Sequence, residues 1–526
     1  MIISQSFFFK AFFLFLIITY NLTVVLAIPH YFGNIFYFLI LCILINCLLY
    51  FSFLKSQYFF NMFFSIFILL GFGFKFTLSL IFLNKSFSYQ FSNPFYSDGG
   101  MLRILSQKLL QQNSCITNDM NLFFTPEQTN KLPCINFKEI ILNSTIYDNG
   151  LLFSIFGIFS ILTTMFLFEK IIKKFSMQIL NFNFITNHLY KKLRYFLFFI
   201  LFCLTILIGT VNTEFSIFKK GLTANESFFP LLRPLISWFL IFGLSSCICI
   251  LLYFEFLKKT KIFNLLFLLS FFEPFFSSVS MMSRGFIFNA SSIFFGYLKL
   301  IKKINFYYLI IIIIFIISLF LLSIKSTQTQ RSNSFVDNNI DNPLVTDTNN
   351  KKVNFFNLSI ESSKVNFIAQ VVIERWVGLE EVILTLNSEK IGWEFLKNSF
   401  KEKQSDNKVP LFDKEIYKEY LNLDRMKNNF VSIPGIIAFA SFSNNIIFVF
   451  FFVSFVIFFC LIIELLILKI SANNLFLSAL ISQIIAYRLI HFGVYPIETY
   501  KILLGICLTS LIAFCSTKIF LVKTYV

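Results

Sequence analysis

Twelve apolar runs dominate this chain, and most of them are long enough to cross a membrane. A helix needs about 20 apolar residues to span the hydrocarbon core of a bilayer. The runs lie at residues 7–28, 35–54, 59–83, 151–168, 195–211, 235–257, 262–279, 286–300, 304–324, 446–468, 475–490 and 502–522. The sequence therefore predicts an all-α fold, a polytopic membrane helix bundle of about 12 spans. For residues 262–300, a single re-entrant feature is the alternative.

The composition supports this class. Hydrophobic residues make up 57% of the 526 residues and charged residues only 13%, which excludes an ordinary water-soluble globule. The net charge of +17 would suggest nucleic acid as a partner of a soluble protein. Basic residues also orient membrane proteins, however, and the sequence contains no nucleic-acid-binding module, so no such partner is predicted.

The lysines predict the orientation, because basic residues beside spans are retained in the cytoplasm. Alternate connections contain Lys55, Lys170, Lys173, Lys174, Lys191, Lys192, Lys258, Lys259, Lys261, Lys299, Lys302, Lys303 and Lys469. These connections are predicted to lie inside, and Lys10, Lys518 and Lys523 place both termini there as well. The first run has an alternative interpretation as a signal peptide cleaved near "VLA" at residue 27.

This topology divides the chain into five segments. They are spans 1–3 at 1–83, an outer loop at 84–150, spans 4–9 at 151–324, a larger outer loop at 325–444 and spans 10–12 at 445–526. The first outer loop contains Cys115 and Cys134, which are predicted either to form a disulfide in an oxidising compartment or to remain free thiols.

The larger outer loop changes character along its length. Residues 326–350 lack apolar periodicity and are predicted to form a mobile linker. Apolar residues recur at helical spacing over 364–401, which predicts an amphipathic helix on the membrane surface or capping the bundle. The stretch "FVSIPGIIAF" at 430–439 then predicts a short half-helix that re-enters the membrane after a Pro-Gly break.

The arginines are distributed differently from the lysines. Only Arg194 is predicted to be cytoplasmic, whereas the outer side holds Arg103, Arg233, Arg284, Arg331, Arg375, Arg425 and Arg488. The planar guanidinium group binds phosphate and carboxylate in bidentate fashion, so outer arginines indicate an anionic ligand. Solvated charge is the alternative for Arg331 and Arg425, and interfacial anchoring for Arg233.

Charges inside or beside the apolar runs are further candidates, because burying a charge in a membrane is costly. Arg284 lies between two short spans, Arg488 lies within the eleventh span, and Lys75 lies in the outer half of the third span. Glu273 is the nearest intramembrane acid that could pair with one of these cations.

The stretch "IERWVGLEEV" at 373–382 concentrates charged and aromatic residues in the larger outer loop. In the functional interpretation Trp376 is an interfacial or sugar-stacking platform, Arg375 a phosphate ligand, and Glu380 or Glu381 a catalytic base. The alternative is a surface helix whose solvated ion pairs contribute under about 1 kcal/mol. In the first outer loop, "NPFYSDGGMLRI" likewise offers Asp98 and Arg103 as ligands or as a plain helix start.

Some chemistries are excluded by missing motifs. The chain contains no P-loop, dinucleotide-binding, HExxH or GxSxG motif. Its three histidines, His30, His188 and His491, are too few for a histidine-rich metal site. No metal or cofactor is therefore predicted, and chemistry would rest on Arg, Glu, Asp, Lys and His491.

The layout of many spans, two enlarged outer loops and outer arginines resembles the bacterial O-antigen polymerase and ligase group. The resemblance implies a metal-independent, GT-C-like glycosyltransferase of the bacterial inner membrane. Its expected partners are undecaprenyl-pyrophosphate-linked glycans at the outer face, membrane lipids and a chain-length regulator protein. In that group essential arginines lie in outer loops, and in the ligases an outer histidine follows them. Arg284, Arg375, Arg488 and His491 occupy comparable places here.

Three alternatives stay open. One is a lipid-linked glycan flippase or other polysaccharide transporter, which would also need intramembrane charges, although repeat symmetry is not apparent. Another is a different lipid-phosphate-sugar glycosyltransferase, for which Asp98 is the only obvious loop acid. The third is a non-enzymatic scaffold of envelope assembly.

Overall fold

The computed structural model describes residues 2–31, 33–83, 144–176, 183–219, 232–260, 262–283, 285–301, 303–338, 376–388, 390–403, 411–416, 434–492, 496 and 499–524. Within these ranges the structure is predominantly helical, and ten helices are long and apolar enough to cross a membrane. The prediction of an all-α polytopic membrane bundle is confirmed at that level.

The helices follow one another along the chain. In order they are α1 (Gln5–Ala27), α2 (Ile35–Tyr50), α3 (Phe59–Ile68), α4 (Phe76–Leu83), α5 (Ser144–Ser176), α6 (His188–Phe215), α7 (Leu232–Trp238), α8 (Leu244–Lys258), α9 (Phe263–Leu269), α10 (Phe272–Ser280), α11 (Phe286–Leu300), α12 (Phe306–Asn338), α13 (Leu379–Leu386), α14 (Trp393–Lys401), α15 (Leu411–Glu415), α16 (Gly435–Ser441), α17 (Ile446–Ile470), α18 (Leu475–Ile490) and α19 (Thr499–Phe520). A 3-10 turn at Ile28–His30 extends α1, and a π-helical turn at Phe51–Lys55 extends α2. Two more π-helical turns join α3 to α4 and α7 to α8, at Leu69–Lys75 and Phe239–Gly243.

Most of the shorter helices join a neighbour into one of the ten candidate spans, but among the described residues the apolar helices α11 and α18 do not, and each is shorter than a bilayer crossing. Their 15 and 16 residues correspond to about 22 and 24 Å, less than the hydrocarbon thickness of about 30 Å. Most of the residues of α18 are buried, and α18 packs against α3, α8, α11 and α17. Because protein surrounds these helices, they can begin and end below the membrane surface. Twelve full crossings stay a prediction.

Two small antiparallel sheets lie outside the spans. Strand β1 (Ile2–Ser4) pairs with β3 (Lys303–Asn305), with Ile2 opposite Asn305. Strand β2 (Asn183–Thr186) pairs with β4 (Leu521–Thr524), with Asn183 opposite Thr524. Each sheet thus links a chain terminus to a lysine-rich connection that the sequence assigns to the cytoplasm. The pairings agree with placing each terminus on the face of its partner connection.

Polar side chains between the spans supply specific contacts in an otherwise apolar interior. The Asn46 amide donates to the Asn21 carbonyl oxygen at 3.0 Å, and the Thr77 hydroxyl donates to Thr23 at 3.0 Å. Such hydrogen bonds fix the register between helices in a membrane, where hydrophobicity alone does not distinguish protein from lipid.

The larger outer loop differs from its sequence interpretation in two places. Helix α12 continues to Asn338, into the stretch predicted to be a mobile linker, and the rest of that stretch lies outside the described residues. The predicted amphipathic helix is not continuous, because Trp376–Gly378 is non-helical and two short helices, α13 and α14, follow. Almost all of α13 is buried between α5 and α16, so this helix is part of the bundle and not a surface helix.

Candidate functional site

Three charged side chains meet beneath the predicted outer face, and they come from distant parts of the sequence. The Lys75 ammonium lies 2.9 Å from Glu380 Oε2 and 3.2 Å from Glu381 Oε1. The Lys75 side chain is only 1% exposed, and the two glutamate side chains are 6% and 9% exposed. A buried charge of this kind requires a close partner. These three residues, which we call the ion triad, therefore tie α13 to the third span.

The π-helical turn at Leu69–Lys75 and the residues before α13 come together through two glycines. A Cβ atom on Gly71 would overlap with the backbone carbonyl of Val377, and one on Gly378 would overlap with the carbonyl of Gly71. Only glycine permits such a close approach of two backbones. Lys75 follows Gly71 by about one turn, and Glu381 follows Gly378 by three residues. The glycine contact thus sets the spacing at which the ion triad forms.

Glu381 is held at both carboxylate oxygens. Oε1 accepts from Lys75, and Oε2 accepts from the backbone N–H of Gly378 at 2.7 Å, a contact that caps the first turn of α13. Burial raises the pKa of the Glu381 carboxyl, although the Lys75 ammonium opposes this effect. Protonation of Glu381 therefore costs less free energy than it would in water.

A short buried helix, α16, closes the other side of the Trp376–Gly378 segment. The predicted half-helix is present as α16, in which every residue is buried. Gly435, at its start, has a φ of +80°, and its N–H donates to the Phe492 carbonyl at 2.7 Å. A side chain at this position would meet both Val377 and the backbone of Ile490. The Trp376–Gly378 segment is therefore packed between the third span on one side and α16 with the end of α18 on the other.

An aromatic cluster connects the ion triad to the end of α18. Trp376 stacks on Phe67 with ring centres 5.8 Å apart, and Phe67 lies 6.0 Å from Tyr487. Phe288, near the start of α11, lies 6.3 Å from Trp376 and 4.6 Å from Tyr487. Part of the predicted sugar-stacking surface of Trp376 is thus already in contact with protein. We call Phe67, Phe288, Trp376 and Tyr487 the aromatic cluster.

His491 and Arg488 lie at the far side of this cluster. The His491 ring packs on Tyr487 at 4.2 Å, and its Nδ1 lies 3.0 Å from the Tyr487 carbonyl oxygen. A carbonyl only accepts, so Nδ1 carries the hydrogen, and in the neutral ring Nε2 carries the lone pair. The half-buried Arg488 donates from Nη2 to Thr499 Oγ1 at 3.3 Å. Arg488 and His491 are three residues apart at the end of α18, so their side chains lie on the same face of the helix.

The remaining predicted site residues are not brought into this region within the described part of the chain. Arg233 is exposed at the start of α7. Asp98, Arg103, Arg284, Arg375, Cys115 and Cys134 lie outside the described residues. The residues that follow Arg284 and Arg375 are described, and two of them, Phe288 and Trp376, belong to the aromatic cluster. The eight cysteines of the apolar runs are free thiols.

Two further acids are located away from the outer site. Glu273, proposed as an ion-pair partner, instead accepts hydrogen bonds from the hydroxyls of Ser245 and Ser277, the latter at 2.7 Å. Ser277 lies on the next turn of α10 and Ser245 lies on α8, whereas both acids of the ion triad come from α13. Glu255 accepts from Tyr190 at 2.9 Å and lies 3.5 Å from Arg194, which gives the predicted cytoplasmic arginine a structural partner.

The sequence interpretation missed Gly71, Gly378, Phe67, Phe288 and Tyr487. The glycines of "LLGFGFK" were a usable signal, because glycine inside an apolar helix often marks a close backbone approach. The aromatic residues of the cluster carried no such signal, because they do not stand out in a chain with 80 phenylalanines. In the described ranges no group of three or more His, Cys, Asp or Glu side chains is placed to hold a metal ion.

Comparison of the chain with protein-family models, with curated proteins and with solved structures finds no match.

Proposed function

We propose that this chain is a polymerase-like glycosyltransferase of the bacterial inner membrane, which transfers glycans carried on undecaprenyl pyrophosphate at the outer face. The observation that carries the proposal is the convergence of candidates from three separate segments. Lys75, the Trp376–Glu381 region and the Arg488–His491 helix end are linked through the ion triad and the aromatic cluster. Lys75 and the Arg488–His491 helix end are predicted to lie in the outer parts of their spans, and the Trp376–Glu381 region lies in the larger outer loop.

The geometry divides the candidates into two roles. The glutamates of the ion triad are enclosed and engaged with Lys75, so we assign them to positioning α13 and Trp376. His491 is only half-buried, and the bond to the Tyr487 carbonyl sets its tautomer. We therefore assign His491 as the general base that takes the proton from the attacking sugar hydroxyl. The Trp376 edge that the aromatic cluster leaves uncovered would contact the sugar.

The leaving group requires positive charge. Breaking the glycosidic bond to the carrier releases undecaprenyl pyrophosphate, whose developing charge guanidinium groups can stabilise. Arg488 shares a helix face with His491 and is the described candidate for this contact. Arg284 and Arg375 are proposed to complete it, since each is followed within four residues by a member of the aromatic cluster. No metal or nucleotide enters the proposed reaction.

Replacing His491 with alanine is expected to slow polymer formation by about 10²–10⁴-fold, the usual contribution of a general base. The measurement is incorporation of lipid-linked oligosaccharide by the purified protein in vitro. His188→Ala is the matched control, because His188 is exposed at the start of α6 on the opposite, predicted cytoplasmic side. Equal rates for His491→Ala and the control would contradict the base assignment.

Replacing Arg284, Arg375 or Arg488 with alanine should abolish polymer formation without abolishing membrane insertion. The physical reason is the loss of positive charge at the departing pyrophosphate. Arg331→Ala, in the same chain but without a proposed ligand, is the control. Polymer yield and membrane-fraction abundance are measured together; normal polymer from all three variants would refute the arginine assignment.

A second candidate is a lipid-linked glycan flippase, and one observation favours it. Glu273 is a buried acid inside the bundle that accepts hydrogen bonds from serine hydroxyls. This arrangement is suited to taking up a proton during transport. Glycan moved across proteoliposome membranes but not elongated would select the flippase. Neither transport nor elongation by the folded protein would favour the scaffold.

A further inference from the structure

The opposite end of the bundle contains a cavity of about 500 Å³. Its walls come from the start of α1, the end of α2 with the π-helical turn at Phe51–Lys55, the start of α3, and the end of α11. The polar lining consists mainly of Lys10, Lys55, Lys299, Ser52 and Ser56. All of these span ends are predicted to be cytoplasmic, so the cavity is remote from the site of the proposed glycosyl transfer.

The charge of this lining has one sign. Among the described residues, the cavity wall includes three lysines and no carboxylate. Glu464 and Glu169 lie close enough to attract the Lys299 ammonium, which also donates to the Gln57 carbonyl at 2.6 Å. Both carboxylates are engaged with backbone as well: Glu464 accepts from the N–H groups of Phe59 and Phe60 at 2.7 and 2.9 Å, and Glu169 accepts from the N–H of Gln57 at 2.8 Å. A wall with three lysines and no carboxylate favours an anion in the cavity.

Ser52 is an independent indication of a ligand. It is only 3% exposed, and within the described part of the chain its buried hydroxyl oxygen has no hydrogen-bond partner. Buried hydroxyls are normally satisfied, so an unpartnered one on a cavity wall points to a bound molecule. Ser56 adds a second donor, because its oxygen accepts from Tyr58 N–H and the Asn61 amide, which leaves the hydroxyl hydrogen for another acceptor.

We propose that this cavity binds a phosphate-bearing anion. The ammonium groups of Lys10, Lys55 and Lys299 would neutralise the phosphate, and the hydroxyls of Ser52 and Ser56 would donate to its oxygens. The ligand is the headgroup of an anionic phospholipid or a free phosphorylated molecule. The lipid is supported by the neighbouring surface of α1, where Phe7 and Leu14 are 59% and 53% exposed and can contact acyl chains.

The lipid arm of the test uses the full-length protein in nanodiscs of phosphatidylcholine with a minor fraction of phosphatidylglycerol. Native mass spectrometry after release then counts the retained phosphatidylglycerol. Retention is expected to fall about tenfold or more in the double variant Lys10→Gln and Lys55→Gln, since each lysine contributes substantially to headgroup binding. Ser52→Ala should lower retention severalfold with little risk to folding. The control pair is Lys469→Gln and Lys518→Gln, which are exposed lysines at the same predicted face.

The phosphate arm titrates inorganic phosphate into the protein in phosphatidylcholine-only nanodiscs by calorimetry. Loss of phosphatidylglycerol retention confined to the cavity variants identifies a lipid headgroup. Saturable phosphate binding that the same variants abolish identifies a free phosphorylated ligand. If the wild type shows neither, or if the control pair reduces binding as much as the cavity pair does, the proposal is overturned.

Discussion

Replacing Lys75 with methionine is expected to lower the free energy of unfolding by about 3–5 kcal/mol. The change leaves Glu380 and Glu381 buried without their shared counter-charge, although methionine fills a similar volume. An unpaired buried carboxylate is among the most costly defects a protein interior can hold. Denaturant or thermal unfolding of the purified protein in detergent, followed by tryptophan fluorescence, measures the loss.

A rescue variant separates charge from packing in this experiment. The triple variant Lys75→Met, Glu380→Gln and Glu381→Gln removes all three charges and should recover much of the stability. The glutamine carbonyl at position 381 can still accept from the Gly378 N–H. Lys469→Met, exposed at the end of α17, is the control and should stay within about 0.5 kcal/mol of the wild type. A Lys75→Met protein as stable as this control would show that the ion triad does not form.

Replacing Gly71 with alanine is expected to destabilise the protein by about 1–3 kcal/mol or more, because the added methyl group overlaps with the Val377 carbonyl. The overlap involves backbone, which cannot rotate away as a side chain can. Separation of the two backbones would also move Glu380 and Glu381 away from Lys75. The variant should therefore lose both stability and polymer formation, and the same unfolding and incorporation assays detect each.

Gly209→Ala is the matched control for this glycine. Gly209 also lies within a membrane helix, α6, but the nearest atom to a methyl group added there would be Ser280 Cβ at 4.0 Å, an ordinary contact. Alanine favours a helix over glycine by about 0.5–1 kcal/mol, so the control is expected to be neutral or slightly more stable. Similar losses for Gly71→Ala and Gly209→Ala would mean that the contact with Val377 does not limit stability.

The ion triad and the glycine contact also explain why an outer segment with so many charges packs inside the bundle. Val377 and the apolar residues of α13 fill space beside α5 and α16, while one lysine from the third span contacts both glutamates of α13. Apolar burial and charge pairing therefore act on the same short helix. In the proposed transferase, the result is a fixed position for Trp376 next to the end of α18.

The sequence by itself determined the class of fold and the positions of the apolar helices. Hydrophobic length depends on consecutive residues, so a reader of the chain can locate the spans and, from the lysines, predict their orientation. The short helix after Pro434 could also be predicted from adjacent residues, since a Pro-Gly pair interrupts one helix and allows another to begin.

Only the tertiary structure decided which charges meet. Lys75 and Glu381 are separated by 306 positions, and nothing in either local sequence specifies the other. The helix predicted over residues 364–401 is interrupted at Trp376–Gly378, where Gly378 approaches Gly71, a contact between distant backbones that outweighs local periodicity. Likewise, Lys10, Lys55 and Lys299 look like separate orientation signals in the chain, and packing alone gathers them around one cavity.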